Sequence, residues 1–261
     1  MIVDYHIHTE ASPDAEGAMQ EYVKAAQEKK IDEIGFSDHI LLKHFENRSN
    51  LLVYEMPAYV QDFFKAKQES PIPIKLGAEV DFFEDKIEMM KEFVRKYPFD
   101  YVMGSVHVIG NWIVDDPTEI QEYSRKDLSQ VYRDYFGLVR ELCACELFDI
   151  LGHTDLIKIF GFKPTQDLAA IYEETAETIS WANICVEINP KGLIRPCREI
   201  YPSLQFLRIL HARDVPITFG SDAHSPKDLG LNLAEAVRLA KKVGYREACT
   251  FSKRERMSVK I

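Results

Sequence analysis

Ile2-Val3-Asp4-Tyr5-His6-Ile7-His8 reads as a short buried strand that runs out into two histidines. Residues two apart on a strand share a face, so the two imidazoles can chelate one ion. Alone this is weak evidence, because a half-buried strand histidine bonded to backbone looks the same. The rest of the chain repeats the arrangement. Strand-like runs also give out at Ser37-Asp38-His39, Gly104-Ser105-Val106-His107, Gly152-His153-Thr154-Asp155 and Gly220-Ser221-Asp222-Ala223-His224, which puts six of the eight histidines at strand exits. Parallel α/β proteins carry their chemistry at the carboxyl ends of the strands, and imidazole is a common ligand for divalent transition metals. The pattern predicts one loop face that gathers metal ligands.

Working outward, seven apolar runs with polar or glycine-containing exits are strand candidates, at 2–6, 33–37, 74–80, 101–107, 150–153, 185–189 and 217–221. Stretches at 17–29, 85–97, 124–146, 167–183, 203–212 and 226–243 have apolar residues at three- and four-residue steps and read as covering helices. Ser124 and the pair Ser225-Pro226 are candidate helix starts. The alternation predicts βα units. Irregular insertions at 44–57 and 109–122 fall on the ligand side, where loops shape pockets. No repeat, charge block or low-complexity tract divides the chain, so the expectation is one domain, residues 1–261.

With 46% hydrophobic and 28% charged residues the composition is that of a globular protein, and no apolar run approaches the roughly 18 residues of a membrane span. The first residues already read as a core strand rather than a secretory signal, so the expectation is a cytoplasmic protein. Five cysteines without C-x-x-C spacing read as reduced thiols. A net charge of −10 argues against a nucleic-acid partner, yet allows a small phosphorylated metabolite if metal ions supply the positive field. Oligomeric state is not readable.

Glu79 lies at the exit of an apolar strand, where an unpaired carboxylate is costly. Its alternative partner is a lysine or arginine, but neighbouring strands present His107 and His153. Asp222 and His224 repeat the two-residue spacing of His6 and His8. Asp14, in the turn-rich Ser12-Pro13-Asp14, is a ligand candidate or a helix cap. Asp38 points away from His39 along the strand and can orient a neighbouring group. His44 and His211 read as ordinary residues. Nine candidate ligands are too many for one ion with an open position, so the set implies two or three divalent metals. Three carboxylates against three such cations leave about three positive charges, which a bridging hydroxide and a phosphate monoester dianion would cancel.

At these residues the chain resembles the polymerase and histidinol phosphatase (PHP) superfamily, and more closely its monofunctional histidinol-phosphatase branch. The resemblance is carried by HxHT from His6, FSDH, GAEVDF, DYVMGSVH, FDILGHTDLIKIFG, VEINPKGLIRP with EIYPS after it, and PITFGSDAHSP followed by VGYRE. It implies a distorted (β/α)7 TIM-like barrel with a trinuclear centre of zinc, iron or manganese. His6, His8, Glu79 and Asp222 would hold the first metal, a bridging Glu79 with His107 and His153 the second, and Asp14, His39 and His224 the third. Many relatives carry histidine where Asp14 stands, and the harder carboxylate favours iron or manganese over zinc. Related sequences often have two basic residues at Ile194-Arg195. Arg195, with Lys158 and Arg198, still offers a phosphate clamp, although any of the three also reads as a surface charge.

The expected reaction is hydrolysis of L-histidinol phosphate by a metal-bridging hydroxide, with Asp222 a candidate proton donor to the leaving alcohol. Two rivals keep the barrel. One acts on another small phosphorylated metabolite or a nucleotide phosphodiester. The other is catalytically inert, and the complete ligand set argues against it.

Overall fold

The computed structural model describes residues 1–42 and 55–261. The nominated insertion at 44–57, and His44, fall mostly or wholly outside the described residues. All seven nominated strands are present in shortened form. They are β1 (Val3–Asp4), β2 (Glu33–Phe36), β4 (Ile74–Leu76), β6 (Met103–Ser105), β9 (Ile150–Leu151), β10 (Cys185–Ile188) and β11 (Ile217–Phe219). Two of the runs break and resume after two residues, adding β3 (His39–Ile40) behind β2 and β5 (Glu79–Asp81) behind β4.

Those breaks explain the distortion of the barrel. The ladders form two parallel arcs, β1-β2-β4 and β11-β10-β9-β6-β5-β3. The second and third strand segments pass from one arc into the other at their breaks, so seven strand segments follow one another around the ring. Between β1 and β11 single backbone bonds continue the ring, from Tyr5 N to Phe219 O (2.9 Å) and from His8 N to Ala223 O (2.9 Å). Asp4 reinforces this junction. Its buried carboxylate accepts from Ser221 N (2.8 Å) and Gly230 N (3.0 Å), while burial pushes its pKa up to about 6 against these bonds. Near the other junction Asp100 N donates to Leu76 O (2.7 Å).

The interior below the ligands is filled rather than open. Tyr101 is fully buried and donates to Tyr5 O (2.7 Å). A Cβ at Gly77 would stand 2.3 Å from the Tyr101 ring, so only glycine lets that ring cross the barrel.

The covering helices are α1 (Met19–Lys29), α2 (Met56–Glu69), α3 (Ile87–Lys96), α4 (Glu122–Arg125), α5 (Leu128–Ala144), α6 (Ala169–Ala182), α7 (Leu204–His211) and α8 (Leu233–Val243). Around the outside α5 packs on α6, α6 on α7, and α7 on α8. Three expectations need correction. The stretch at 124–146 is two helices, because Asp127 caps α5 by accepting from Ser129 N (3.0 Å), and Ser124 lies inside α4. The stretch at 226–243 is interrupted by left-handed Gly230 (φ +68°) and Asn232 (φ +60°), so Ser225-Pro226 opens only a short 3-10 turn. The insertion at 109–122 is not irregular, since it holds a hairpin of β7 (Val108–Ile109) and β8 (Trp112–Ile113) and a 3-10 turn at Pro117–Glu119.

Sequence reading also missed α2 and a terminal hairpin of β12 (Glu247–Ser252) and β13 (Glu255–Lys260). This hairpin covers the start of the strands, where Lys253 N donates to Asp100 Oδ1 (3.1 Å) and Phe251 packs on Tyr5 and Tyr101. Among the described residues no helix is long and apolar enough to cross a membrane, and the five cysteines are free thiols.

Candidate metal centre

Glu79 opens β5 and is fully buried among imidazoles. Oε2 lies 2.7 Å from His39 Nδ1, 3.3 Å from His6 Nε2 and 3.6 Å from His8 Nε2. Oε1 lies 2.9 Å from His153 Nε2 and 3.6 Å from His107 Nε2. A side chain whose two oxygens face nitrogens on both sides can bridge two ions. Burial raises its pKa, but His6, His39, His107 and His153 together hold it well below the usual carboxylate range.

The other candidate ligands stand around this carboxylate. Asp222 Oδ1 lies 3.5 Å from His8 Nε2 and 3.3 Å from His224 Nδ1. Asp222 takes a left-handed backbone (φ +55°), so the chain turns sharply as it leaves β11. Asp14 Oδ2 is 3.8 Å from His39 Nε2 and 3.7 Å from His224 Nε2, on the most exposed side of the cluster. His107 Nε2 and His153 Nε2 are 3.2 Å apart. All nine candidates therefore come together.

The donor atoms fit metal ions better than they fit one another. His6 Nε2, both ring nitrogens of His8 and His153 Nδ1 are buried without a hydrogen-bond partner, a costly state that a cation can relieve on the side facing Glu79. Among the described residues three sets of donors lie within 4.8 Å of one another: His6, Glu79 and His153; His6, His8 and Asp222; and His8, His39 and His224. These sets differ from the expected partition, with His8 also beside the third group and His153 sharing His6. His6 and His153 have raised pKa values because Glu187 and Glu79 outweigh the burial that lowers them, whereas burial and its histidine neighbours drive His8 well down.

Outside the ligands, Asp38 bonds to the loop after β1 rather than to an imidazole. It accepts from Thr9 N (2.7 Å), Thr9 Oγ1 (3.0 Å) and Ser12 Oγ (2.9 Å), and so fixes the turn that presents Asp14. Two carboxylates that sequence reading passed over do stand behind ligand rings. Glu187 Oε1 is 2.7 Å from His6 Nδ1, and Asp81 is in very short contact with His107 Nδ1. The signal for Glu187 is the one that marks Glu79, a carboxylate inside an apolar strand.

The cleft over the cluster has a volume of about 470 Å³ and is walled in part by Lys191, Arg195, Tyr201, Asp115 and Asp116. Of the three basic residues nominated from sequence only Arg195 lines it. Lys158 is buried elsewhere, 2.7 Å from Asp155 Oδ2, and Arg198 is exposed and donates to Leu193 O (3.2 Å). Lys191, not nominated, takes their place. Its ammonium is in very short contact with Asp222 O and lies 3.4 Å from His224 Nδ1. Lys191, His6, His8 and His224 overcome the effect of burial and hold Asp222 well below the carboxylate range, so it is ionised and poorly suited to donate a proton.

Known proteins bear on this geometry. The PHP domain pattern matches residues 4–191. A probable histidinol-phosphatase of Deinococcus radiodurans is 31% identical over 248 residues, covering 94% of this chain and 95% of that protein. The histidinol-phosphatase of Lactococcus lactis subsp. lactis is 28% identical over 266 residues, covering 96% and 94%. A crystal structure of the histidinol phosphate phosphatase from Lactococcus lactis, complexed with zinc, L-histidinol and phosphate, superposes with a TM-score of 0.86 at 26% identity over 98% of each chain. The matched span runs through every candidate ligand from His6 to His153, and the relatives align over nearly the whole length. On these grounds the chain belongs to the PHP-domain family, alongside its histidinol-phosphatases.

Proposed function

We propose that this protein hydrolyses L-histidinol phosphate to L-histidinol and phosphate, in histidine biosynthesis, as a cytoplasmic enzyme of one domain over residues 1–261. The observation that carries the reading is Glu79, with five imidazole nitrogens within 3.6 Å of its two oxygens. His6, His8, Asp14, His39, Glu79, His107, His153, Asp222 and His224 hold two or three divalent ions. Zinc is the ion in the Lactococcus relative, and the hard Asp14 carboxylate also suits iron or manganese. When bound, such ions supply Lewis acidity for phosphoryl oxygens and a water acidic enough to attack near neutral pH.

The chain's own residues do the rest. Lys191 and Arg195 bring fixed positive charge to the cleft and stabilise the phosphoryl oxygens as negative charge builds on them. Asp115 and Asp116, in the same walls, give the cleft an acidic part that suits the ammonium of histidinol. Ile113, Leu156 and Ile159 supply apolar surface for the carbon skeleton and exclude water from it. Asp222, held ionised, serves as a ligand.

Phosphate release from L-histidinol phosphate, measured beside a nucleotide, an oligonucleotide and other small phosphate esters, tests the proposal. A marked preference for L-histidinol phosphate by the metal-loaded protein is expected. Faster turnover of another ester would overturn the substrate, and no turnover of any ester would overturn the phosphatase reading.

A further inference from the structure

We infer that Glu187 is a positioning residue that locks two metal-binding imidazoles against each other, holding His6 by its ring and His153 by its backbone. The inference rests on the metal centre proposed above and goes beyond it. Glu187 lies on β10 and is fully buried. Its Oε1 is 2.7 Å from His6 Nδ1, and its Oε2 accepts from His153 N (2.7 Å) and Asn189 Nδ2 (3.2 Å).

The topology makes the first contact unusual. His153 follows β9, which is paired directly with β10. His6 follows β1, which lies beyond β11, so the carboxylate must cross an intervening strand to reach it. It crosses at Gly220. A Cβ there would stand 2.1 Å from Glu187 Oε1 and 2.4 Å from His6 Cβ, and the contact exists only because that position has no side chain.

Glu187 and Glu79 hold the two rings from opposite sides. Glu187 accepts at His6 Nδ1, which fixes the tautomer and leaves Nε2, 3.3 Å from Glu79 Oε2, to face an ion with its lone pair. Its other oxygen pins the backbone from which the His153 ring projects, with Nε2 2.9 Å from Glu79 Oε1. His6, Glu79, His153 and Glu187 thus form a closed circuit, and one carboxylate sets the spacing of ligands on both sides of the bridging one. A residue that only stabilised the barrel would have no such hold on the affinity for ions.

The test is titration of the full-length, chelator-treated protein with Zn²⁺, and separately Mn²⁺, in competition with a chromophoric chelator. Glu187→Gln removes the charge and one of the two acceptors, Glu187→Asp keeps the charge but shortens the reach, and Gly220→Ala keeps the glutamate but sets a methyl group against both its Oε1 and His6 Cβ. Affinity for at least two equivalents of metal should fall roughly 10- to 100-fold in each variant, with an unchanged circular dichroism spectrum. Rescue by Glu187→Asp, or weakening of a single equivalent, would overturn the coupling of the two imidazoles. Parental affinity in Glu187→Gln and Gly220→Ala, even with a lowered Tm, would reduce Glu187 to a structural residue. If the unsubstituted protein binds no ions, the metal centre itself fails, a result distinct from these.

Discussion

Lys158 and Asp155 form an ion pair with Nζ 2.7 Å from Oδ2 and both side chains 1% exposed, and Lys158 also donates to Ile200 O (2.8 Å). The lysine therefore braces the loop after β9. Lys158→Met should leave an uncompensated buried carboxylate and lower stability by about 3–5 kcal/mol, read from denaturant unfolding. An unchanged midpoint would contradict the assignment.

Lys191 gives the opposite profile. Lys191→Ala removes a cation from the cleft wall without opening the core, so kcat should fall about 100-fold while Tm holds within a few degrees. Phosphate-release kinetics beside thermal melts check it, and a large loss of Tm with little change in kcat would count against it.

Glu79→Gln preserves shape but removes the charge that faces five imidazoles. We expect turnover to drop by more than about 100-fold, beyond the range for groups that only touch a ligand. Elemental analysis should find fewer bound ions per chain. Full metal content in this variant would refute the bridging role.

The stripped protein should carry a pH signature. His6 and His153 are raised above 6.5, so their contribution to stability is complete below that value and is lost as pH rises through the folded-state pKa. His8 is lowered, so its contribution is complete above 6.5 and is lost as pH falls through its folded-state pKa. Melts of the chelated protein should peak near pH 6.5 and decline on both sides. The loaded protein should show no alkaline decline, because ions replace the protons. A chelated protein equally stable at pH 6.5 and 9 would rule this out.

Tyr123 bears on the cleft wall. Its hydroxyl lies 2.8 Å from Val114 O and 3.0 Å from Ile157 O and shares its one proton between them, tying the segment that carries Asp115 and Asp116 to the loop after β9. Tyr123→Phe should cost about 1 kcal/mol in stability and raise KM more than it lowers kcat. Steady-state kinetics on L-histidinol phosphate decide.

The seven strand runs, and the meeting of eight of the nine candidate ligands, were legible because each repeats a local signal, an apolar run followed by a donor, whereas Asp14 sits in a turn that reads equally as a helix cap. Glu187 carries the same local signal as Glu79, but its partner His6 lies 181 residues away, and that pairing has no local pattern. Lys158 and Lys191 were exchanged for a related reason. Each follows a candidate strand, and only packing shows that one faces Asp155 while the other faces Asp222. The hairpin of β7 and β8 escaped because two-residue strands are too short for an alternation to show.

The junction of β1 with β11 also governs assembly. Ser221 bonds Asp4 across 217 positions, and His6 and Asp222 meet only when that junction forms. In a nascent polypeptide halted on the ribosome before Gly220 has emerged, Asp222 and His224 cannot stand beside His6 and His8, so the proposed metal centre is complete only once the ring has closed.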